Sequence, residues 1–292
     1  MKRILNIFTL CMLAFTAASA QKWQADTIST PASFVNTQYN TIENPQAISH
    51  FLEDMYNGEK VVRVMQLGDS HVRSNFYPMT VRRELERFFG TEATSDDKYT
   101  YASGDNLTAT ETGKPGISYS SHGKNGLRAS QAAKPEHVNP SVRTQPQLII
   151  VCLGTNDAYA PDTVSYKPAR QLQELTSLMN NLKAAAPEGT EYILCTMPGC
   201  YYTKPGTKVH NDCPNMQRSA NVIRQYAADN NLALWDCFKV CGEEEAHKNW
   251  WNAGLMQPDH IHLKPKGYNL LGRLLAQAIE HSFLDYVKAK QQ

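Results

Sequence analysis

Five short apolar runs divide this chain: 61–67 (VVRVMQL), 117–121 (ISYSS), 147–153 (QLIIVCL), 191–196 (EYILCT) and 232–235 (LALW). The runs at 61 and 147 are compact and rich in β-branched side chains, which is how a strand covered on both faces reads. Between the runs lie segments whose apolar residues recur at helical spacing. These are Ile48, Phe51, Leu52 and Met55; Leu85, Phe88 and Phe89; Leu172, Leu175, Leu178, Met179 and Leu182; a segment at 217–229; and Leu270, Leu271, Leu274, Leu275, Ala278 and Ile279 near the end. Parallel neighbours need crossover connections, and strands alternating with helices supply them. The pattern therefore predicts a doubly wound α/β domain, a five-stranded parallel sheet inside a three-layer α/β/α sandwich. In such folds ligands bind beyond the carboxyl ends of the strands.

With 41% hydrophobic and 20% charged residues, the 292-residue chain has apolar material for one large core. A formal net charge of +1, without any Lys/Arg run, argues against a nucleic-acid partner. The N-terminus carries Lys2 and Arg3, an apolar stretch from Ile4 to Phe15 broken by Asn6 and Thr9, and then Ala18, Ser19 and Ala20, the layout of a secretory signal peptide. Cleavage after Ala20 is expected. It leaves an exported protein, periplasmic or extracellular, with no stable membrane span, since a spanning helix needs about 20 apolar residues. Residues 21–60 read as a wrapping segment and first helix, residues 61–292 as the domain, and the polar stretch 90–116 as an insertion beside the site. No feature specifies an oligomer.

Loss of the leader removes Cys11 and leaves Cys152, Cys195, Cys200, Cys213, Cys237 and Cys241. An exported chain can keep disulfides. Cys200 with Cys213, and Cys237 with Cys241, are placed as local staples, whereas Cys152 and Cys195 sit in strand patterns as small buried side chains. Cys237, Cys241 and His247 fall short of a zinc-ligand spacing, and neither metal nor organic cofactor is expected.

Polar, turn-rich motifs follow the first three runs and precede the last helix: Gly68-Asp69-Ser70-His71, Gly123-Lys124-Asn125-Gly126, Gly154-Thr155-Asn156-Asp157 and Pro258-Asp259-His260-Ile261-His262. Together they hold what ester hydrolysis by a serine requires. A hydroxyl needs a base to take its proton, a neutral imidazole does this near neutral pH, and a carboxylate sets the imidazole's tautomer and orientation. Asp259 and His262, three residues apart, are close enough for that pairing. The negative oxygen of the intermediate needs fixed donors. Ser70 offers its own N–H, Asn156 a side-chain amide, and Gly126 an N–H in a turn that a larger residue would crowd.

These motifs, in this order and spacing over nearly the whole mature chain, resemble the GDSL or SGNH hydrolase family. The resemblance implies a flavodoxin-like fold and a serine ester hydrolase acting on a small-molecule or glycan ester. By motif position it makes Ser70 the nucleophile, Gly126 and Asn156 oxyanion donors with the Ser70 N–H, His262 the base and Asp259 its orienting partner. His71 stands where the family has leucine. The GDSH pattern is associated with envelope esterases that remove O-acetyl groups from peptidoglycan or other polysaccharides.

Competing readings accompany each motif. Ser70 alone also reads as a helix N-cap. Gly123 competes with Gly126 as donor, and His260 with His262 as base. His71 is expected to shape the pocket, and Asp69 and Asp157 to bond backbone amides in their turns. Tyr201, Tyr202, Trp250 and Trp251, in predicted loops at the same edge, are available to stack on a sugar or to pack. Two other functions suit the motifs: a lipase-like or thioesterase-like hydrolase of longer acyl chains, and a glycan-binding surface protein with decayed catalytic geometry.

Overall fold

The computed structural model describes residues 23–24, 33–95, 106–204 and 206–292. The expected leader at 1–20 lies outside the described residues, as do parts of the 21–60 segment and of the 90–116 insertion. A two-residue strand, Ile42–Glu43 (β1), and the helix Ser49–Asn57 (α1) precede the first long strand, Val61–Gly68 (β2). Then come Ser70–Arg73 (α2), Phe76–Phe89 (α3), Gly116–Gly123 (β3), Ala129–Ala132 (α4), Pro135–Val142 (α5), Leu148–Cys152 (β4), Thr155–Ala158 (α6), Pro168–Ala185 (α7) and Glu191–Cys195 (β5). A hairpin, Tyr201–Thr203 (β6) with His210–Asp212 (β7), leads to Met216–Asp229 (α8), Ala233–Trp235 (β8), Cys237–Val240 (α9), Ala246–Asn252 (α10) and Pro265–Lys290 (α11).

The five expected strands pair in parallel in the order β3-β2-β4-β5-β8. Numbered among themselves they run 2-1-3-4-5, the flavodoxin-like arrangement. The sheet nevertheless has six strands and is mixed, because β1 adds antiparallel to the β8 edge through Ile42 opposite Trp235 and Glu43 opposite Leu234. A two-residue strand offers no alternation to read. Its place is set by tertiary bonds: Trp235 Nε1 donates to Asn40 Oδ1 at 2.9 Å, and Asn40 Nδ2 donates to the Leu274 carbonyl at 2.9 Å.

Alternate residues of each strand feed two separate cores, which is why both faces read as apolar. Leu148, Ile150 and Cys152 of β4 face Phe51 and Leu52 of α1, Val81 and Leu85 of α3, and Leu271, Leu274 and Leu275 of α11. Ile149 and Val151 face Leu175, Leu178 and Leu182 of α7 and Ile223 and Tyr226 of α8. Leu274 is fully buried, and truncating it to alanine is expected to cost about 2–5 kcal/mol in lost transfer energy and cavity. A hydrogen bond from Thr80 Oγ1 to Asn269 Oδ1, at 2.9 Å, pins the start of α11 to α3.

All six described cysteines are buried thiols. The residues of the two expected staples lie next to each other as thiols, with no disulfide between them. Cys237 and Cys241 lie with their Sγ atoms 3.6 Å apart, and the Cys200 and Cys213 thiols hydrogen-bond at the base of the β6–β7 hairpin. Among the described residues, no helix is long and apolar enough to cross a membrane.

Candidate active site

The β2 strand stops at Gly68 because the next turn folds back over it. A Cβ there would lie 2.3 Å from Val72 Cγ2 and 2.8 Å from the Cys152 carbonyl oxygen. Asp69, not Ser70, caps the short helix α2: its Oδ1 accepts the His71 N–H at 2.9 Å. Ser70 is thus the first residue inside the turn, and its hydroxyl has another partner.

That partner comes from 192 residues away. His262 Nε2 lies 2.7 Å from Ser70 Oγ, and His262 Nδ1 lies 2.6 Å from Asp259 Oδ2. The second carboxylate oxygen of Asp259 accepts the N–H groups of Ile261 at 3.0 Å and His262 at 2.9 Å, so the carboxylate closes its own tight turn. The turn is held from outside by Gln257 N–H donating to the His262 carbonyl at 2.7 Å and by a bridge between Met256 and Leu263. His260 adopts φ 58°. Its ring stacks on His210 and Trp251, with centroids 4.1 and 4.0 Å away, rather than joining Ser70.

Burial works to raise the Asp259 pKa, but the bonds from the His262 ring and the two backbone N–H groups prevail and hold it at about 2. The bond to Asp259 in turn raises His262 above its ordinary value, against the effect of its burial. An imidazole held between a hydroxyl and a firmly ionised carboxylate can accept the hydroxyl's proton and return it.

On the other side of Ser70 lies the second block. Gly126 has φ 73°, and a Cβ there would meet nothing within 4 Å. Backbone conformation rather than crowding therefore calls for glycine. Its N–H, like that of Ser70, has no hydrogen-bond partner among the described residues, whereas the rival Gly123 N–H donates to Asn106 Oδ1 at 2.8 Å. Asn156 also borders the cleft, but both hydrogens of its amide are engaged, with Asp69 Oδ2 at 3.1 Å and the Leu127 carbonyl at 3.2 Å. It ties the β2 turn to the loop bearing Gly126.

Asp69 is wholly buried, and burial lifts its pKa to about 7 in spite of the His71 N–H. Asp157 accepts the Ala129 N–H at 3.1 Å and is likewise pushed up by burial, to about 6. His71 is buried under the His262 ring, centroids 5.5 Å apart, with Nδ1 3.2 Å from the Tyr268 hydroxyl. Burial first, then the proximity of His262, depress its pKa to about 3, so it stays neutral.

These groups open on a cleft of about 440 Å³ lined by Ser70, Gly126, Asn156 and His262 together with Arg73, Phe76, Gln257 and Tyr268. A model of the GDSL-like lipase/acylhydrolase family matches residues 88–270, more than half of the chain. The chain belongs to that family. It is a carboxylic ester hydrolase by that membership, and the matched range takes in Gly126, Asn156, Asp259 and His262, with Ser70 joined to them by geometry. No curated protein sequence matches this GDSL-like hydrolase. Solved structures share its fold: a peptidoglycan O-acetylesterase (16% identity, TM-score 0.63, covering 88% of this chain and 98% of the other), an acetyl xylan esterase (16%, 0.52, 75% and 100%) and a GDSL-like lipase from Bacteroides thetaiotaomicron (19%, 0.50, 82% and 99%).

The four aromatics expected near the site of the hydrolase do not line this cleft. Trp250 is buried, with Nε1 donating to the Cys241 carbonyl at 3.0 Å. Tyr202 packs on Tyr159, while Tyr201 and Trp251 join the His260 cluster on the far side of the turn. The aromatics that do line it, Phe76 and Tyr268, stand in the helices that flank the motifs. Arg73 was also missed, although its place three residues after Ser70, within one helical turn, is legible from the sequence.

Proposed function

We propose that this hydrolase is an exported serine esterase that removes O-acetyl or similarly short acyl groups from a polysaccharide or peptidoglycan. Ser70 Oγ adds to the ester carbonyl carbon as its proton passes to His262 Nε2, and the carbonyl electron pair moves onto oxygen. The N–H groups of Ser70 and Gly126 receive that charge. Asn156 adds a third donor by giving up one of its two present bonds. Collapse of the intermediate expels the alcohol, protonated by His262. Water then repeats the steps on the acyl-enzyme, and the carboxylic acid departs. Asp259 keeps Nε2 as the proton acceptor and stabilises the imidazolium.

The continuous chain from Ser70 through His262 to Asp259, with contacts of 2.7 and 2.6 Å, carries this reading. The substrate class draws support from the open cleft and from two proteins of the same fold named for acetyl esters of glycans. Export rests on the leader at 1–20, and N-terminal sequencing of the secreted product is expected to begin at Gln21. The deciding experiment is 4-nitrophenyl acetate turnover by the mature chain and by Ser70→Ala, where equal rates would remove Ser70 from the chemistry. Comparing acetyl with octanoyl esters, and then acetate release from O-acetylated peptidoglycan with release from acetylated plant polysaccharides, narrows the substrate.

A further inference from the structure

The cleft lining contains one permanently charged side chain, Arg73, and no carboxylate. Among the described residues, other arginines are ion-paired, Arg63 with Glu111, Arg82 with Glu86, Arg170 with Glu174 and Arg224 with Asp236, whereas Arg128, Arg143, Arg218 and Arg273, like Arg73, are in no ion pair. The Arg73 guanidinium is half-buried and has neither an ion pair nor a hydrogen bond among the described residues. It stands three residues after Ser70 in the same helical turn, a spacing that sets the two side chains on one face. A partly desolvated guanidinium with all its donors free is a strong receptor for a planar anion, because its fork matches a carboxylate in two hydrogen bonds.

The surroundings reinforce the sign of the field. His122, at the end of β3, is depressed to about 4, first by burial and then by the positive charges of its neighbours, Arg73, Arg143 and Lys124 among them. His122 Nε2 lies 3.0 Å from His137 Nδ1, whose ring reaches Lys124 Nζ at 3.4 Å and the exposed Glu136 carboxylate at 3.7 Å. The nearest buried acid on the nucleophile turn, Asp69, is occupied by His71 and Asn156.

We propose that Arg73 determines specificity by receiving a carboxylate carried by the ester substrate within about one helical turn's reach of the scissile carbonyl. This rests on the esterase reading of Ser70 and deepens it: the substrate is an anionic ester, the acyl group or the alcohol, such as a carboxylated sugar, bearing the charge.

The test compares kcat/KM for 3-acetoxybenzoate, charged on the alcohol side, and 4-nitrophenyl hydrogen adipate, charged on the acyl side, each against its uncharged methyl ester. The wild type is expected to favour at least one charged member about tenfold or more, and the favoured pair locates the anion. Arg73→Gln is expected to collapse that ratio toward one through KM of the charged ester, and Arg73→Lys to restore part of it. A wild type that prefers the uncharged esters, or an Arg73→Gln variant that loses both members in parallel and keeps their ratio, overturns the proposal. Failure of the wild type on 4-nitrophenyl acetate sinks the esterase reading instead. In that event, calorimetric binding of 3-hydroxybenzoate against its methyl ester still decides on Arg73: a preference abolished by Arg73→Gln supports the anion site, and equal binding rejects it.

Discussion

Two aspartate–histidine pairs flank the same serine, and their surroundings drive them in opposite directions. Asp259 and His262 sit in a partly exposed turn, ring bonded to carboxylate, and the acid falls to about 2 while the imidazole rises. Asp69 and His71 sit two residues apart under the sheet's edge, where the carboxylate bonds the His71 backbone rather than its ring. There the acid climbs to about 7 and the imidazole falls to about 3. In the proposed mechanism, side-chain identity does not decide which pair moves protons. A direct ring-to-carboxylate bond with access to water makes a relay, whereas burial without that bond makes a neutral scaffold.

The most drastic way to break the comparison is to remove the group both pairs flank. Ser70→Ala is expected to lower kcat/KM for 4-nitrophenyl acetate on the order of 10⁴–10⁶-fold, with the melting temperature little changed. Next, Asp259→Asn dismantles the relay alone, with an expected loss on the order of 10³–10⁴-fold. It also has a signature in pH. With neutral His262 as the proposed base and its pKa raised, kcat/KM is expected to climb with pH through a midpoint above 6.5. Losing Asp259 moves that midpoint down, and a profile that stays in place would dissociate Asp259 from the base.

Asp69 tests the scaffold pair through stability. Its folded pKa, about 7, exceeds the unfolded value near 3.9. Between these values the folded chain holds a proton that the unfolded chain has released, so the contribution of Asp69 to stability is fully present below about pH 4 and is lost as pH rises to about 7. Asp157, at about 6, acts in the same sense. His71 and His122, depressed to about 3 and about 4, act in the opposite sense over the same range, so the share due to Asp69 is read from the difference in calorimetric melting temperature between the wild type and Asp69→Asn. Relative to the wild type, Asp69→Asn is expected to gain on the order of 5–10 °C between pH 4 and pH 7, while starting lower at pH 4 because an amide then faces the Asn156 amide. An unaltered slope would mean that Asp69 ionises normally. The smallest effect is reserved for His71→Leu, expected to keep kcat/KM within about tenfold and to leave the His262 midpoint nearly unmoved, since a ring neutral down to about pH 3 exerts no charge there. A shift of a full unit would show that His71 takes part in the titration.

Strands buried on both faces were legible because their composition is extreme, and the motif residues because few side chains suit their chemistry. What stayed hidden depended on distant partners. β1 exists through Trp235, and α5, which starts at Pro135, runs through Pro140, which reads as a breaker in isolation. Asn156 was recognisable as a donor, but the engagement of both its hydrogens follows from where Asp69 and Leu127 come to lie. At Gly126 the space is open rather than crowded, and only a backbone angle that the sequence does not display demands glycine.

The turn bearing His262 runs directly into α11, whose first turns are tied to α3 by the Thr80–Asn269 bond. A refolding molecule can therefore rebuild most of its sheet and still be silent toward esters until that last helix docks. Recovery of turnover after dilution from denaturant should lag the return of helical and strand signal, which makes catalysis a clock for the closing step of assembly.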